Sequence, residues 1–231
     1  MKRRVIHTNS FVEDAAEVIL DEADQAIKKR GCFRLALSGG NTPRPIYKSF
    51  AEEAAELAWE KVFITFGDER CVGPEDPMSN YRTAKESLFD HVAIPAENIL
   101  RMRGEIDPAE AAEEYETKLA EWAARDEEPR YVHDLILLGM GDDGHTASLF
   151  PETDGLNESE RNVIANYVPK FSSYRITFTF PLINAARHVC FLVGGGGAKE
   201  ELVSRILKGD GNYPSGRVKP EHGELTWLLG F

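Results

Sequence analysis

Apolar residues fall in two rhythms along this chain. Val12, Ala15, Ile19, Ala23, Ala26 and Ile27 recur at helical spacing and stop at Gly31, which predicts an amphipathic helix closed by a glycine. Ser10-Phe11-Val12-Glu13 ahead of it reads as a capping box. Four short apolar runs follow, Phe33–Leu37, Val62–Phe66, Leu135–Leu138 and 189–193, each leading into a glycine-bearing loop. Runs of that length predict buried strands rather than helices. After the first, Thr42 can serve as N-cap and Pro43 as the first helical residue. Ser79 or Asn80 can cap a third helix, and Asp107-Pro108-Ala109-Glu110 opens a fourth. The run 138–149 is expected to open a helix, as is 194–199, which leads on to Leu207. Residues 175–180 alternate as a strand, and 225–229 supply a last one. The polar stretch 151–161 suggests a flap.

Strands alternating with helices imply a largely parallel sheet covered on both faces. At 231 residues the chain supports one such domain, spanning 1–231. No apolar run approaches the roughly 20 residues of a membrane helix. Met1-Lys2-Arg3-Arg4 is basic, but Val5-Ile6-His7-Thr8-Asn9 is too short and polar for an export signal, so none is expected. Three cysteines, Cys32, Cys71 and Cys190, are odd in number and far apart, which argues against a disulfide framework or a regular zinc site and fits a reducing cytoplasm. The net charge of −12 opposes loose nucleic-acid binding, so an anionic ligand must meet a local positive pocket.

Candidate chemistry gathers at the ends of the strands, where open α/β sheets bind ligands. Ser38-Gly39-Gly40-Asn41-Thr42-Pro43 offers small residues, hydroxyls and backbone N–H groups at a helix start, which suits a phosphate; an ordinary tight turn would read the same way. Asp143 and His145 flank Gly144 after an apolar strand, the make-up of an acid/base pair, although each alone could be a turn or surface residue. Asp68-Glu69-Arg70 would ordinarily be a solvated loop, but the segment from Asp76 to Arg82 could fold Arg70 over the same rim. The run from Gly194 to Lys199 is followed by Glu200, so it lacks the ending of a nucleotide loop. Lys199 and Arg175 could hold a phosphate as a point charge and a planar fork. Cys71 has no partner base in sequence and reads as a small buried residue, and Tyr81, Phe171 and Tyr174 read as packing residues.

Taken together, Leu37 to Pro43, Gly67-Asp68-Glu69-Arg70, Ser79-Asn80-Tyr81, Leu138 to Pro151, Arg175-Ile176-Thr177 and Gly194 to Lys199 resemble the 6-phosphogluconolactonase family over nearly the whole chain. The resemblance implies a single-domain three-layer α/β/α fold with a mostly parallel, Rossmann-like sheet, shared with sugar-phosphate isomerases and deaminases. It also implies hydrolysis of 6-phospho-D-glucono-1,5-lactone in the pentose phosphate pathway. Glucosamine-6-phosphate deaminases look alike at the glycine loop and at Asp143-Gly144-His145. Their motif runs Asp-Gly-His-Ile-Ala-Phe-Asn-Glu-Pro, however, with a carboxylate where this chain has Phe150, and they tend to have an aromatic residue where it has Arg70. A non-catalytic sugar-phosphate sensor on the same fold would usually carry a DNA-binding helical module, for which one helix before Phe33 leaves no room. Two departures from the lactonase pattern are Glu152, where a glycine commonly follows the proline, and the ending Trp227-Leu228-Leu229-Gly230-Phe231.

On this reading His145 is the base that activates water, Asp143 or Asp68 orients it, and Arg70 meets the developing oxyanion or else the sugar or phosphate. Ser38, Gly39, Gly40, Asn41, Thr42, Arg175 and Lys199 would hold the 6-phosphate. The expected partner is the small-molecule substrate, with no metal or other cofactor, no nucleic acid and no membrane, and the expected state is a monomer or weak homo-oligomer.

Overall fold

The computed structural model describes residues 2–125, 129–210 and 212–231; Met1 of the basic start lies outside them. Period-2 alternation sorts the strand side chains into two cores. Phe33, Leu35 and Leu37 of β2 (Phe33–Leu37) and Leu135 and Leu137 of β5 (Leu135–Leu138) face one core, and Ala36, Ile136 and Leu138 face the other. Helices α1 (Phe11–Arg30), α2 (Pro43–Glu53) and α3 (Asn80–Ser87) cover the first face. Helices α4 (Pro108–Arg125), α5 (Phe180–Asn184) and α6 (Ala198–Leu207) cover the second. The result is the three-layer α/β/α arrangement expected.

Among the described residues a six-stranded, all-parallel sheet runs in the order β1-β9-β8-β5-β2-β3, with β1 at Lys2–His7, β3 at Val62–Phe66, β8 at His188–Gly194 and β9 at Glu224–Gly230. Trp227, in the unusual ending, stacks on Phe191 of β8 with centroids 4.0 Å apart, so this C-terminus closes the second core. The chain moves outward from β2 to β3 on one side and returns to β5 on the other. The carboxyl ends of β2 and β5 therefore border the topological switch point, where such sheets open a crevice.

Several local expectations need correction. The run at Phe33 is not the first strand: Lys2–His7 form β1, paired with β9 and exposed along its length, and their polar composition suits an edge. The capping box at Ser10 does not form: its side chain makes no cap bond, and its backbone N–H donates to Thr8 Oγ1. Thr42 sits at the start of α2 in helical backbone, also without a side-chain cap. Ser79 is the cap of α3, accepting from Arg82 N at 3.2 Å. The segment after β5 opens no helix; residues 139–150 are turns closed by a bridge between Thr146 and Leu149. The strand around Arg175 is β7 (Ser173–Phe178) and ends before Phe180, which begins α5. The stretch 151–161 is pinned to its surroundings: Asn166 accepts from Gly155 N and donates to Thr153, and Arg161 pairs with Glu116 of α4. Glu152 has φ +62°, the left-handed region that explains why a glycine suits this position.

A second sheet was not foreseen. At Gly67 the chain leaves β3 and enters β4 (Asp68–Arg70), which pairs antiparallel with β7, itself paired with β6 (Val163–Val168). Three adjacent charges are tolerated here because alternation sends them to opposite sides. Glu69, only 2% exposed, turns away from the crevice and accepts from the backbone N–H groups of Arg70, Asn80 and Tyr81 at 2.7–2.9 Å and from Ser79 Oγ at 3.1 Å. Burial raises its pKa against the opposing pull of those backbone donors. The carboxylate thus sits on the positive N-terminus of α3. Glu69→Gln, which replaces an accepting oxygen with an amide nitrogen, should cost about 1–3 kcal/mol of stability for a donor left unpaired. The measurement is the urea midpoint at neutral pH, and an unchanged midpoint would remove Glu69 from this structural role.

Candidate active site

Four strand ends contribute to one cavity of about 340 Å³. Ser38 to Pro43 come from the end of β2, Asp68 and Arg70 from β4, Gly139 to Gly141, His145, Ala147, Ser148 and Phe150 from the turns after β5, Gly194 from the end of β8 and Lys199 from the start of α6, while Asp143 stands just outside the lining. Phe171 and Arg175 reach in from the second sheet. All seven proposed phosphate residues, Ser38, Gly39, Gly40, Asn41, Thr42, Arg175 and Lys199, line this space. So do His145, Asp68 and Arg70.

Local packing dictates the glycines. A Cβ on Gly39 would occupy the side chain of Asn80, whose Nδ2 donates to the carbonyl and carboxylate of Asp68 at 2.8 and 3.2 Å. Gly40 has φ +93°, which turns the loop into the helix. The hydroxyl of Ser38 is buried and has no hydrogen-bond partner within the protein, while its carbonyl accepts from Tyr47 Oη at 2.7 Å.

His145 and Asp143 are brought together. His145 Nδ1 lies 2.5 Å from Asp143 Oδ1, and the other carboxylate oxygen meets Lys170 Nζ at 3.0 Å. Burial opposes the charge on Asp143, but hydrogen bonds from His145 and Lys170 outweigh it and hold the carboxyl at about 2. Phe150 stacks on the imidazole, with centroids 3.9 Å apart and planes at 21°. Asp68 belongs to another network: its Oδ2 accepts from Ser148 Oγ at 2.6 Å and its Oδ1 from Asn80. Of the two carboxylates considered as orienters, Asp143 is the one in contact with the imidazole.

Three cations converge on this space, with the buried carboxylate of Asp68 on the same cavity wall. Arg70 and Arg175 are direct cross-strand partners in the β4–β7 ladder and so share a face. Burial, and then the charge of Arg70, lower the pKa of Arg175. Arg70 donates to the carbonyl of Met78 at 2.5 Å, which is the folding-back expected of the 76–82 segment. Lys199 lies 3.6 Å from exposed Asp142, and Arg175 sits 5.3 Å from the Phe171 ring centroid. Like charges opposed on a ladder are destabilising unless an anion joins them.

Tyr81, partly buried, packs on Phe66 and Phe89 as expected of a packing residue; Cys71 is partly buried and not fully so, and that burial keeps its thiol above the usual pKa. Phe171 is different from expectation: 47% exposed, it lines the cavity mouth, and Tyr174 is exposed beside Tyr167. Sequence reasoning missed Lys170 and Asn166. Lys170 stands 27 positions from Asp143 in a turn with no motif, so only the β6–β7 pairing brings it here.

The model of the family described as glucosamine-6-phosphate isomerases/6-phosphogluconolactonase matches residues 7–227. A 6-phosphogluconolactonase of Nostoc is 42% identical over 225 residues, covering 95% of this chain and 91% of the relative. One of Synechocystis is 41% identical over 229 residues, covering 97% and 93%. The crystal structure of a 6-phosphogluconolactonase from Thermotoga maritima superposes with a TM-score of 0.85 at 27% identity, over 99% of this chain and all of that one (100%). Among the described residues no helix is long and apolar enough to cross a membrane.

A Cβ placed on Gly141 would fall within the imidazole of His145. Because the ring can swing aside while the backbone cannot, Gly141→Ala should displace the imidazole with little unfolding, and if His145 acts as the general base the reaction slows with it. Turnover should fall by about 10²-fold or more, the typical contribution of a positioned general base, with the thermal midpoint within a few degrees of wild type. Near-normal turnover in a folded variant would place the chemistry elsewhere.

Proposed function

The chain belongs to the family of glucosamine-6-phosphate isomerases and 6-phosphogluconolactonases, and we propose that it hydrolyses 6-phospho-D-glucono-1,5-lactone to 6-phospho-D-gluconate by general-base activation of water. The observation that carries the mechanism is the contact of His145 Nδ1 with Asp143 at the edge of a cavity lined by Arg70, Arg175 and Lys199. A carboxylate on Nδ1 favours the tautomer whose Nε2 keeps its lone pair, the form that accepts a proton.

In the first step His145 takes a proton from water as its oxygen bonds to C1, and the carbonyl electrons move onto oxygen. Arg70 is the cation assigned to that oxyanion. In the second step the oxyanion collapses, the bond from C1 to the ring oxygen breaks, and the imidazolium returns its proton to the departing oxygen. Asp143 stabilises the transient imidazolium without itself taking the proton, consistent with its depressed pKa. Asp68 has a supporting place, holding Ser148 and Asn80 at the cavity wall. The 6-phosphate would meet the loop from Ser38 to Thr42 together with Arg175 and Lys199, so that binding remote from C1 aligns the reacting carbon. We assign the activity to one domain over residues 1–231, acting in the reducing cytoplasm as a monomer or weak homo-oligomer.

Phe150 favours the lactonase over a deaminase reading. The position that carries the acid in the deaminase motif is here a phenyl ring stacked on the base, so a ring-opening and amine-releasing reaction lacks its proton donor. The decisive assay is acid release from freshly generated 6-phosphogluconolactone, corrected for spontaneous hydrolysis, beside ammonia release from glucosamine 6-phosphate. Lactone turnover and no ammonia are expected. His145→Ala should lower the lactone rate by about 10²- to 10⁴-fold while leaving 6-phosphogluconate binding nearly unchanged. A variant that retains wild-type turnover would overturn the mechanism.

The phosphate assignment has its own test. Arg175→Ala or Lys199→Ala should weaken 6-phosphogluconate binding by about 1.5–3 kcal/mol for each charge-assisted bond lost. The same changes should leave the slow hydrolysis of unphosphorylated gluconolactone much less affected, so the ratio of kcat/KM for the two lactones is the readout. Equal losses on both would put these cations at the reacting end.

A further inference from the structure

The Asp143 carboxylate is shared. One oxygen holds His145 and the other holds Lys170, whose ammonium comes from the turn Pro169–Phe171 that joins β6 to β7. A second set of contacts returns to the same turn through rings. Phe150 stacks on the imidazole, and Phe171 meets Phe150 edge-on, with centroids 5.6 Å apart and planes at 83°. Lys170 Nζ itself lies 5.7 Å from the Phe171 centroid. The imidazole is therefore fixed at its edge by a polar arm and on its face by an aromatic arm, and both arms end on consecutive residues of one turn.

We infer that Lys170 is a positioning residue of the hydrolytic site, coupling the β6–β7 turn to His145 through Asp143 and moderating the basicity of that imidazole. The inference rests on the lactonase reading above. The Lys170 side chain is 59% exposed, and an ion pair so exposed adds little to stability, so the consequence of this contact is electrostatic and orientational. A carboxylate alone beside an imidazole favours its protonated form, which cannot accept a proton from water. An ammonium on the far side of the carboxylate offsets part of that bias. Arg70 and Arg175 from the second sheet and Lys199 from α6 face the same cavity and act in the same sense as Lys170, while Asp68 and Asp142 act against it. Of these cations, Lys170 is the one hydrogen-bonded to Asp143, so it has the most direct leverage on the base.

The test compares wild type, Lys170→Met and Lys170→Arg by two readouts. The first is titration of the His145 imidazole by NMR in the ligand-free protein, with the resonance assigned by its loss in His145→Ala. The second is the pH profile of kcat on freshly generated 6-phosphogluconolactone. Loss of the ammonium should raise the imidazole midpoint by about 0.5–1 pH unit and move the acidic limb of the profile with it. Below the wild-type midpoint, turnover would then fall about 3- to 10-fold, while above both midpoints the variant approaches wild type. Lys170→Arg should restore both. A uniform loss of kcat at every pH with an unmoved midpoint would mean a merely structural contact and overturn the inference, as would an unchanged Lys170→Met. Absence of lactone turnover in wild type would sink the lactonase reading instead, and the NMR titration would then decide the coupling alone.

Discussion

A single buried carboxylate, that of Glu69, fixes the geometry on which the site depends. It collects three backbone donors and a hydroxyl, and in doing so joins the start of α3 to β4. Burial disfavours its charge, which persists only where the N–H groups of a helix start replace water. The consequence for the crevice comes from alternation. With Glu69 committed to one side of a three-residue strand, its neighbours Asp68 and Arg70 must both face the other, where the cavity lies. Asn80, at the first position of the same helix, then closes the circuit by holding Asp68 and abutting Gly39 in the loop after β2.

That frame holds together charges that would otherwise separate. The protein carries a net charge of −12, yet Arg70, Arg175 and Lys199 point into one space. Their tethers are a carbonyl, an aromatic face and an exposed carboxylate, none of which would neutralise a cation as a buried ion pair does. Repulsion between the two guanidinium groups shows in the lowered pKa of Arg175, after the larger effect of its burial. Like charges opposed on a ladder destabilise one another, and an anion placed between them would offset that cost. The net charge of −12 opposes loose binding of polyanions, whereas these three cations give the cavity a local positive charge.

What the sequence made legible follows from where local rules govern. The four apolar runs are strands because buried parallel strands are continuous in apolar residues, and α1 ends at Gly31, φ +80°, because a left-handed cap requires glycine. Rules that depend on tertiary partners failed. Edge strand β1 is polar and gives no apolar run to mark it, and Asp68-Glu69-Arg70 gives no sign of being a strand because three residues carry no periodic signal. The turns after β5 passed as a helix start because a glycine-flanked run after a strand usually is one. Here Gly144, at φ +75°, packs against Tyr213, and Ala147 and Glu152 also take positive φ, so the chain coils over the crevice instead. The residues proposed for catalysis and phosphate binding stood out because each lies in a compact motif. Lys170 did not, since its only qualification is the partner it meets across 27 positions.

The second sheet explains why a parallel-sheet crevice alone would not suffice. Loops at the ends of β2, β5 and β8 can supply backbone N–H groups, an imidazole and a lysine, but they line the crevice from one side. The small antiparallel sheet adds the opposing wall: β4 brings Arg70, β7 brings Arg175, and the β6–β7 turn brings Phe171 over the mouth and Lys170 against Asp143. Thr177 of β7 also accepts from Ser148 N, and Asn166 of β6 donates to the Ser148 carbonyl at 2.8 Å, so the turns carrying His145 are laced to that wall. The imidazole and the two guanidinium groups therefore belong to two sheets meeting at Gly67, where the chain passes directly from one to the other and Phe178 N returns a hydrogen bond to its carbonyl at 2.8 Å. Reaching distance between the imidazole and the guanidinium groups is set at that junction, by backbone, and not by the flexible side chains themselves.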